Sequence, residues 1–308
     1  MKPKQKREQR EINGIVLLDK PIHISSNGAM KQVKAIFRAA KAGHTGSLDV
    51  LASGMLPVCL GQATRYAGYL LNADKTYTVE AKLGIKTVSG DIDSDIISEK
   101  EVPNISEDEF KKLLLGFTGE LEQIPPMHSA LKKDGKPLYK LARKGIEIER
   151  KPRKINIYKL ELLDFNLANA SFKILVSCSK GTYIRSLVMD IGDEIGCGAH
   201  VTVLHRDSVY DYKSEDMVSI EELDTMSLEE KDKHILSPET MLTMYPVHNI
   251  SEFELEQLRN GIQFELGDIG ITGPIRLRLD GKYFAGLAKI SDTGRLTPVC
   301  VLKQIDKA

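Results

Sequence analysis

The sequence has no tryptophan, and aromatic residues make up only 6% of its 308 positions. It has only four cysteines, at positions 59, 178, 197 and 300, with no Cys-x-x-Cys pair and no zinc-like spacing with histidine. This pattern argues against a disulfide framework and against a structural metal site. No apolar run approaches the ~18 residues of a membrane-spanning helix, and the polar first ten residues lack the apolar centre of a signal peptide. The composition therefore predicts a soluble, cytoplasmic protein.

The chain has no net charge, because its 43 lysine and arginine residues balance its 43 aspartate and glutamate residues. The charges are nevertheless segregated along the chain. Residues 1–85 carry 13 basic and 6 acidic side chains, and residues 123–159 carry 11 and 3, whereas the remaining segments are acidic on balance. Segregation of this kind can give one face of a protein a positive potential that binds phosphate groups. A solvated surface explains either basic block, taken alone, equally well.

Short buried or alternating apolar runs predict strands over residues 13–19, 77–83, 154–165 and 170–178. The serine and asparagine residues at positions 25–27 are possible N-caps of a helix that follows the first strand.

Two further helices are indicated by their start signals. Ser106 and Glu109 form a capping box, and the apolar residues behind them indicate a helix packed on a sheet. Gly181 turns the chain into a helix with an apolar stripe at positions 184, 187, 188, 191 and 195. Tyr183 and Arg185 are expected in the first turn of that helix.

The pattern divides the chain into a basic N-terminal arm (residues 1–10), a main domain (residues 11–244) and a small β-rich C-terminal domain (residues 245–308). An insertion at residues 123–154 is rich in lysine, arginine and proline and is interpreted as a mobile subdomain that faces RNA. The dipeptide at positions 280–281 is Asp-Gly, which predicts a hairpin in the C-terminal domain.

Residues 43–57 read Gly-His-Thr-Gly-Ser-Leu-Asp-Val-Leu-Ala-Ser-Gly-Met-Leu-Pro and place one carboxylate, Asp49, among small residues. The glycines allow positive φ angles or close approach of a ligand, so Asp49 is a candidate nucleophile in a loop against a large substrate. Taken alone, the same residues are more often a turn in which the aspartate caps a helix, here one entered at Leu51. Other motifs in the chain make the nucleophile the favoured interpretation of Asp49.

Four further motifs accompany this loop in a fixed order. They are Lys-Pro at 20–21, Asp-Lys-Thr-Tyr at 74–77, Ser-Lys-Gly-Thr-Tyr-Ile-Arg at 179–185 and Gly-Cys-Gly-Ala-His-Val at 196–201. Together they closely resemble the TruB family of tRNA pseudouridine synthases, over essentially the whole chain. The resemblance implies an α+β pseudouridine synthase fold: a mixed, largely antiparallel central sheet flanked by helices, with a PUA-like C-terminal domain. It also implies isomerisation of uridine 55 in the T-loop of tRNA, with no cofactor and no metal.

The resemblance assigns catalytic roles to three residues. Asp49 is the expected nucleophile on a flipped-out uridine, although attack on C1′ of the sugar and addition to C6 of the base both stay open. Arg185 is expected to form an ion pair with Asp49 and to keep it anionic. Tyr183 is a candidate for proton removal at C5.

The resemblance also assigns four substrate-binding residues. Tyr77 is expected to stack on the flipped uracil, which offsets part of the unstacking cost. His44 is expected to enter the T-loop beside the vacated position, and Leu204 to form an apolar wall of the uracil pocket. Lys20 is expected to support the loop after the first strand.

The chain departs from the family pattern at Val50, where proline is usual, and at Ser53, where threonine is usual. We expect altered stiffness of the loop without loss of activity. The role of Asp91 is left open, because the segment around it departs from the family's acidic pattern.

The expected partner is the T-stem-loop of tRNA, bound by a monomer that needs no other protein. The alternatives are a guide-RNA-dependent pseudouridine synthase and a non-catalytic tRNA-binding folding chaperone. A carboxylate glycosidase is disfavoured, because the motifs contain no matching second carboxylate.

Overall fold

The computed structural model describes residues 9–129, 131–267 and 270–305, and it contains two main sheets. Residues 1–8 of the predicted N-terminal arm lie outside the described residues. In chain order the strands are β1 (Gly14–Lys20), β2 (Ala42–His44), β3 (Ser53–Leu60), β4 (Lys75–Leu83), β5 (Ile85–Thr87), β6 (Ile96–Glu99), β7 (Gly119–Gln123), β8 (Lys132–Lys133), β9 (Lys136–Pro137), β10 (Arg153–Asn166), β11 (Ser171–Cys178), β12 (Ala199–Val209), β13 (Val247–Ile250), β14 (Phe264–Glu265), β15 (Gly273–Leu279), β16 (Tyr283–Ile290) and β17 (Arg295–Val301).

The helices are short, and most of them start at a serine cap. The α-helices are α1 (Ser26–Ile36), α2 (Ala67–Leu71), α3 (Glu107–Leu115), α4 (Leu138–Ala142), α5 (Ile184–Ile195), α6 (Ile220–Thr225), α7 (Leu228–Asp232) and α8 (Glu252–Arg259). Ser25 caps α1 as predicted, because its side chain accepts a hydrogen bond from the backbone of Gly28.

The central sheet has eight strands. Seven pair in the order β1-β3-β12-β4-β11-β10-β7, and β2 pairs with β3. The β3–β12 pair is parallel, and the other pairs in this sheet are antiparallel. The four predicted strands are observed as β1, β4, β10 and β11. Because β12 lies between β3 and β4, it contacts both the start of β3, which follows Asp49 in the chain, and the strand that carries Tyr77.

Helix α3 packs on the sheet through aromatic contacts, as its apolar face predicts. The Ser106 side chain accepts from the Glu109 backbone, and the Glu109 carboxylate accepts from the Ser106 backbone at 2.8 Å. The fully buried Phe110 ring lies 4.8 Å from the Phe165 ring and 5.0 Å from the Phe172 ring, between centroids. The capping box therefore fixes the start of a helix whose burial supplies most of its stability.

Helix α5 begins at Ile184, so Arg185 lies in its first turn as predicted, whereas Tyr183 is the cap residue directly before it. Tyr183 is held there by the end of β7. The Gln123 side chain accepts from the Tyr183 backbone nitrogen at 2.8 Å and donates to its carbonyl at 3.0 Å. Gly196 ends the helix with a φ of 94°, a conformation that glycine adopts without strain.

The predicted insertion connects β7 to β10, which are neighbours in the sheet. Within it, β8 and β9 form a two-stranded hairpin, and α4 is the short helix that follows. The insertion thus extends from the edge of the sheet that lies beside the first turn of α5.

The C-terminal sheet has the order β13-β15-β16-β17-β14 and its own apolar core. Asp280 and Gly281 form the predicted turn between β15 and β16, with φ angles of 50° and 68°. This sheet also packs against the central one through a shared apolar core that contains Leu17 and Phe284. Tyr66, which precedes α2, joins that core: its hydroxyl donates to the Cys300 carbonyl at 2.6 Å, and its ring contacts Phe284 edge-on. The boundary at residues 244 and 245 stays a prediction.

Candidate active site

Asp49 lies between β2 and β3, in a segment here named the Asp49 loop (residues 46–54), which includes the first two residues of β3. The loop is fixed from α1, because Ser26 Oγ accepts from the Leu48 backbone nitrogen at 2.7 Å and donates to its carbonyl at 3.0 Å. No helix starts at Leu51, since β3 begins at Ser53, so the alternative of a helix cap there is wrong. The Asp49 side chain is 41% exposed and points to a cavity.

Arg185 is the central cation of this site. Its Nε lies 2.8 Å from Asp49 Oδ2, which is the ion pair that the motif predicts. Its Nη1 donates to the Ser89 carbonyl at 2.7 Å, and its Nη2 donates to the His128 carbonyl at 2.8 Å. With 5% of its side chain exposed, Arg185 is held in one orientation from several sides.

Asp91, whose role the sequence left open, is a second carboxylate on Arg185. Its Oδ2 lies 3.3 Å from Arg185 Nη1, and its Oδ1 accepts from Ser89 Oγ at 2.6 Å and from the Asp93 backbone at 3.2 Å. Because the Asp91 side chain is only 9% exposed, the guanidinium lies between one buried and one accessible carboxylate. Arg185 therefore orients the accessible one, Asp49.

Tyr77 and Tyr183 line the same cavity as Asp49 and Arg185. The cavity has a volume of about 1020 Å³, which is large enough for a nucleoside and its neighbours. Burial raises the pKa of both phenols. Tyr183 is therefore protonated at neutral pH, a state in which its oxygen is a weak proton acceptor. Its role as the base at C5 stays a prediction.

Two family models match the chain. One describes the N-terminal domain of TruB family pseudouridylate synthases, over residues 34–184, and the other the C-terminal domain of tRNA pseudouridylate synthase B, over residues 185–243. The tRNA pseudouridine synthase B of Coxiella burnetii (strain RSA 493) is 43% identical over 94% of this chain and 94% of its own length. That of Nitrosococcus oceani is 44% identical over 97% of each chain. This chain belongs to the TruB family.

Solved structures agree with this family at the level of the fold. A chain in the crystal structure of a Cbf5–Nop10–Gar1 complex superposes with a TM-score of 0.69 and 25% identity, over 95% of this chain and 84% of that one. A chain in the archaeal Nop10–Cbf5 complex gives 0.69 and 24%. The predicted family, the pseudouridine synthase fold with its β-rich C-terminal part, and the enzyme class are thus confirmed.

Besides Arg185, three buried cations lie near the Asp49 loop or line the cavity: Lys20, Lys75 and Arg206. Burial lowers the pKa of Lys20 to about 8, although Asp49 acts in the opposite direction, so Lys20 lies within electrostatic reach of Asp49. Its Nζ donates to the carbonyls of Pro21 and Ile24, both at 2.8 Å, which fits the predicted support of this segment. Burial likewise lowers the pKa of Lys75, which lines the cavity, to about 8.

The third cation is Arg206, which sequence reasoning missed. It is 1% exposed and lines the cavity from β12. Its neighbours in the sequence, His205 and Asp207, are polar, so no apolar pattern marked Arg206 as a buried charge.

His44 and Leu204 lie apart from the residues that line the cavity. Leu204 is 5% exposed and belongs to the same apolar core as Tyr77. His44 lies on β2, and burial, with Arg206 as a smaller contributor, lowers its pKa. Its Nδ1 is buried without a hydrogen-bond partner among the described residues. The T-loop contact of His44 and the pocket wall at Leu204 stay predictions.

Metal ligands and membrane-spanning helices were also sought in the described part of the chain. There, no group of three or more histidine, cysteine, aspartate or glutamate side chains is arranged to hold a metal ion. Within the same residues, no helix is long and apolar enough to cross a membrane.

Proposed function

We propose that this chain converts uridine 55 in the T-loop of tRNA to pseudouridine and that Asp49 is its nucleophile. The observation that carries the proposal is the 2.8 Å pair of Asp49 and Arg185 in a cavity that also holds Tyr77 and Tyr183. Relatives that cover nearly the whole chain bear the name tRNA pseudouridine synthase B, which supports tRNA as the substrate.

The reaction breaks the N1–C1′ bond of the nucleotide and forms a C5–C1′ bond, and the C5 proton is lost as a proton reaches N1. Nothing is oxidised or hydrolysed. Attack on C1′ and addition to C6 both need an ionised carboxylate near the base. Arg185 holds the Asp49 carboxylate in an ion pair at 2.8 Å and leaves it accessible from the cavity.

A base within the folded T-loop has to leave its stack before Asp49 reaches it, which costs a few kcal/mol. Stacking on an aromatic side chain returns about 1–3 kcal/mol per base. Tyr77 is suited to this task, since its ring lines the cavity and is fixed in the middle of the sheet on β4. Tyr183, at the start of α5, supplies a second aromatic ring in the same cavity.

The proposed partner is the T-stem-loop alone, bound by a monomer in the cytoplasm with no obligate protein partner. The four cysteines are free and buried, which is compatible with a reducing compartment. A purified chain that forms pseudouridine in a T-stem-loop transcript, without guide RNA or another protein, would support this form. Activity that needs a guide RNA would favour the guide-dependent alternative.

The central test is Asp49→Asn in the same assay. We expect pseudouridine formation to fall at least about 10⁴-fold, because the neutral amide is no nucleophile, while the affinity for the T-stem-loop changes less than about threefold. The matched control is Asp224→Asn, which changes an exposed carboxylate on α6 and should keep full activity.

Retained pseudouridine formation in Asp49→Asn would contradict the proposal. If wild type forms no pseudouridine, but wild type and the variant both restore misfolded tRNA to its native form, the chaperone alternative gains support.

A further inference from the structure

Arg206 has the largest side chain among the fully buried residues of the described chain, and its contacts connect separate parts of the site. Its Nε donates to the Met55 carbonyl at 2.7 Å, and its Nη2 donates to the Gly46 carbonyl at 3.3 Å. Gly46 begins the Asp49 loop, and Met55 directly follows it on β3. The guanidinium therefore fixes the backbone on both sides of the nucleophile.

The backbone of Arg206 contacts the other end of the same loop. Arg206 is the register partner of Gly54 in the parallel β3–β12 pair. A Cβ atom at Gly54 would lie 2.4 Å from the Arg206 carbonyl oxygen and 2.8 Å from its backbone nitrogen, so the strands approach too closely for any side chain there. Gly54 also has a φ of 96°. Arg206 therefore contacts both ends of the Asp49 loop. Its side chain binds the Gly46 carbonyl, and its backbone lies against Gly54.

On its other side Arg206 meets Tyr77. The two are register partners in the antiparallel β4–β12 pair. The Arg206 charge opposes the burial that raises the pKa of Tyr77, so the guanidinium lies within electrostatic reach of the phenol. One residue thus contacts both the loop that carries the nucleophile and the strand that carries Tyr77.

This guanidinium has no carboxylate within 4.0 Å among the described residues, unlike Arg185. Its charge also contributes to the lowered pKa of Lys75 and His44. An unpaired charge at this depth reduces stability compared with an apolar residue of the same size. Packing alone therefore gives no reason for an arginine here.

We propose that Arg206 is a positioning residue for pseudouridine formation, which holds the Asp49 loop at a fixed separation from β4, the strand that carries Tyr77. This inference rests on the proposed function, because Asp49 has to be the nucleophile for the separation to matter. A misplacement of about 1 Å in such a constellation lowers rates about 100-fold. Arg206 acts through Asp49 and Tyr77 and needs no contact with the RNA.

The test compares Arg206→Lys with wild type in single-turnover and steady-state assays on a T-stem-loop transcript. Lysine keeps the charge, but its single ammonium cannot donate to both the Met55 and the Gly46 carbonyls in the same geometry. We expect kcat to fall about 100-fold, and the RNA Kd and KM to stay within about threefold. The matched control is Arg276→Lys, since Arg276 also donates to a carbonyl, that of Tyr245, and its side chain is 15% exposed in the C-terminal sheet.

An Arg206→Lys enzyme with unchanged kcat would overturn the inference, as would a loss confined to RNA affinity. Gly54→Ala provides a second readout that does not depend on folding of the lysine variant, because its Cβ would lie 2.4 Å from the Arg206 carbonyl oxygen and would push the Asp49 loop away from β12. We expect Gly54→Ala to lower kcat about tenfold or more at unchanged Kd, and the double variant to lose less than the product of the two single losses. Full activity of Gly54→Ala, or fully multiplied effects in the double variant, would overturn it.

Wild type and Asp49→Asn run in the same assays separate the two proposals. An active Asp49→Asn enzyme would refute the role of Asp49 as nucleophile, whatever the activity of Arg206→Lys. An inactive Asp49→Asn enzyme with a fully active Arg206→Lys enzyme keeps the proposed function and removes only the positioning role.

Discussion

Arg185 binds two carboxylates that differ in exposure, and this difference decides what each can do. Asp91 is buried, and its carboxylate accepts hydrogen bonds from Ser89 and from the backbone of Asp93, so it contacts protein groups and is closed to a substrate. Asp49 is open to the cavity. At the scale of the residue, the site is therefore an arginine whose inner partner fixes its orientation and whose outer partner faces the substrate.

Asp91→Asn tests this division of roles. The amide retains the shape but loses the charge, so Arg185 keeps Asp49 as its only anionic partner and is less firmly oriented. We expect pseudouridine formation to fall about 10- to 100-fold with RNA affinity unchanged, because only the geometry at Asp49 is disturbed. Asp95→Asn, an exposed carboxylate in the same segment, should have no effect. Equal activity of both variants would show that Asp91 does not orient Arg185.

Lys75 gives a prediction about pH. Burial lowers its pKa from 10.5 to about 8, so between these pH values the unfolded chain still holds a proton that the folded chain has released. The contribution of this lysine to stability therefore rises with pH through that window. We expect the difference in unfolding free energy between wild type and Lys75→Met to move by about 2 kcal/mol in favour of wild type from pH 8 to pH 10.

Urea unfolding at several pH values measures this difference. Lys82→Met is the control, because Lys82 lies on the same strand with an exposed side chain. Parallel stability curves for wild type and Lys75→Met would refute the expected titration.

At the scale of the element, local signals in the chain place the helices well. The serine caps predicted for α1 and α3 coincide with the observed starts, because a cap is satisfied by groups within one turn. Tyr183 caps α5 and does not lie in its first turn, and the side chain of Gln123, 60 positions away, binds its backbone. A contact that distant has no local signal.

Ser106→Ala isolates the contribution of one such cap. The change removes the acceptor for the Glu109 backbone nitrogen at the start of α3. We expect a loss of about 1 kcal/mol in unfolding free energy with activity retained, since α3 lies on the sheet away from the cavity residues. Ser98→Ala, a serine on β6 that caps no helix, should change stability by less than about 0.5 kcal/mol in the same chemical denaturation measurement. Equal losses in the two variants would contradict a specific cap effect.

At the scale of the whole molecule, the basic insertion and the catalytic cavity lie together. His128, Tyr139 and Arg143 belong to the insertion and line the cavity beside Asp49. This arrangement favours the interpretation of the insertion as an RNA-facing segment, which stays a prediction. A chain with no net charge can bind a polyanion if its positive residues cluster at the binding site, and the predicted role of the insertion would provide such a cluster.

Salt dependence of RNA binding tests the insertion. Each lysine–phosphate contact contributes roughly 0.7 to 0.9 to the slope of log K against log salt. Replacing four exposed lysines of the insertion by glutamine should reduce the magnitude of that slope by about 2 to 4; the set is Lys132, Lys133, Lys136 and Lys140. The control replaces four lysines of the acidic C-terminal third, namely Lys231, Lys233, Lys289 and Lys303. Equal slopes for the two variants would show that the insertion makes no phosphate contacts.

The sequence by itself determined the family, four strands and the main helices of the first domain, Asp49 as the candidate nucleophile and Arg185 as its partner, because each has a local signal or belongs to a compact motif. The tertiary structure alone decided that Asp91 shares Arg185 and that Arg206 joins the Asp49 loop to the strand that carries Tyr77. Arg206 lies 160 positions from Gly46, and only the pairing of β12 between β3 and β4 brings them together. Strand register over such distances is set by packing of the whole sheet, which no local pattern encodes.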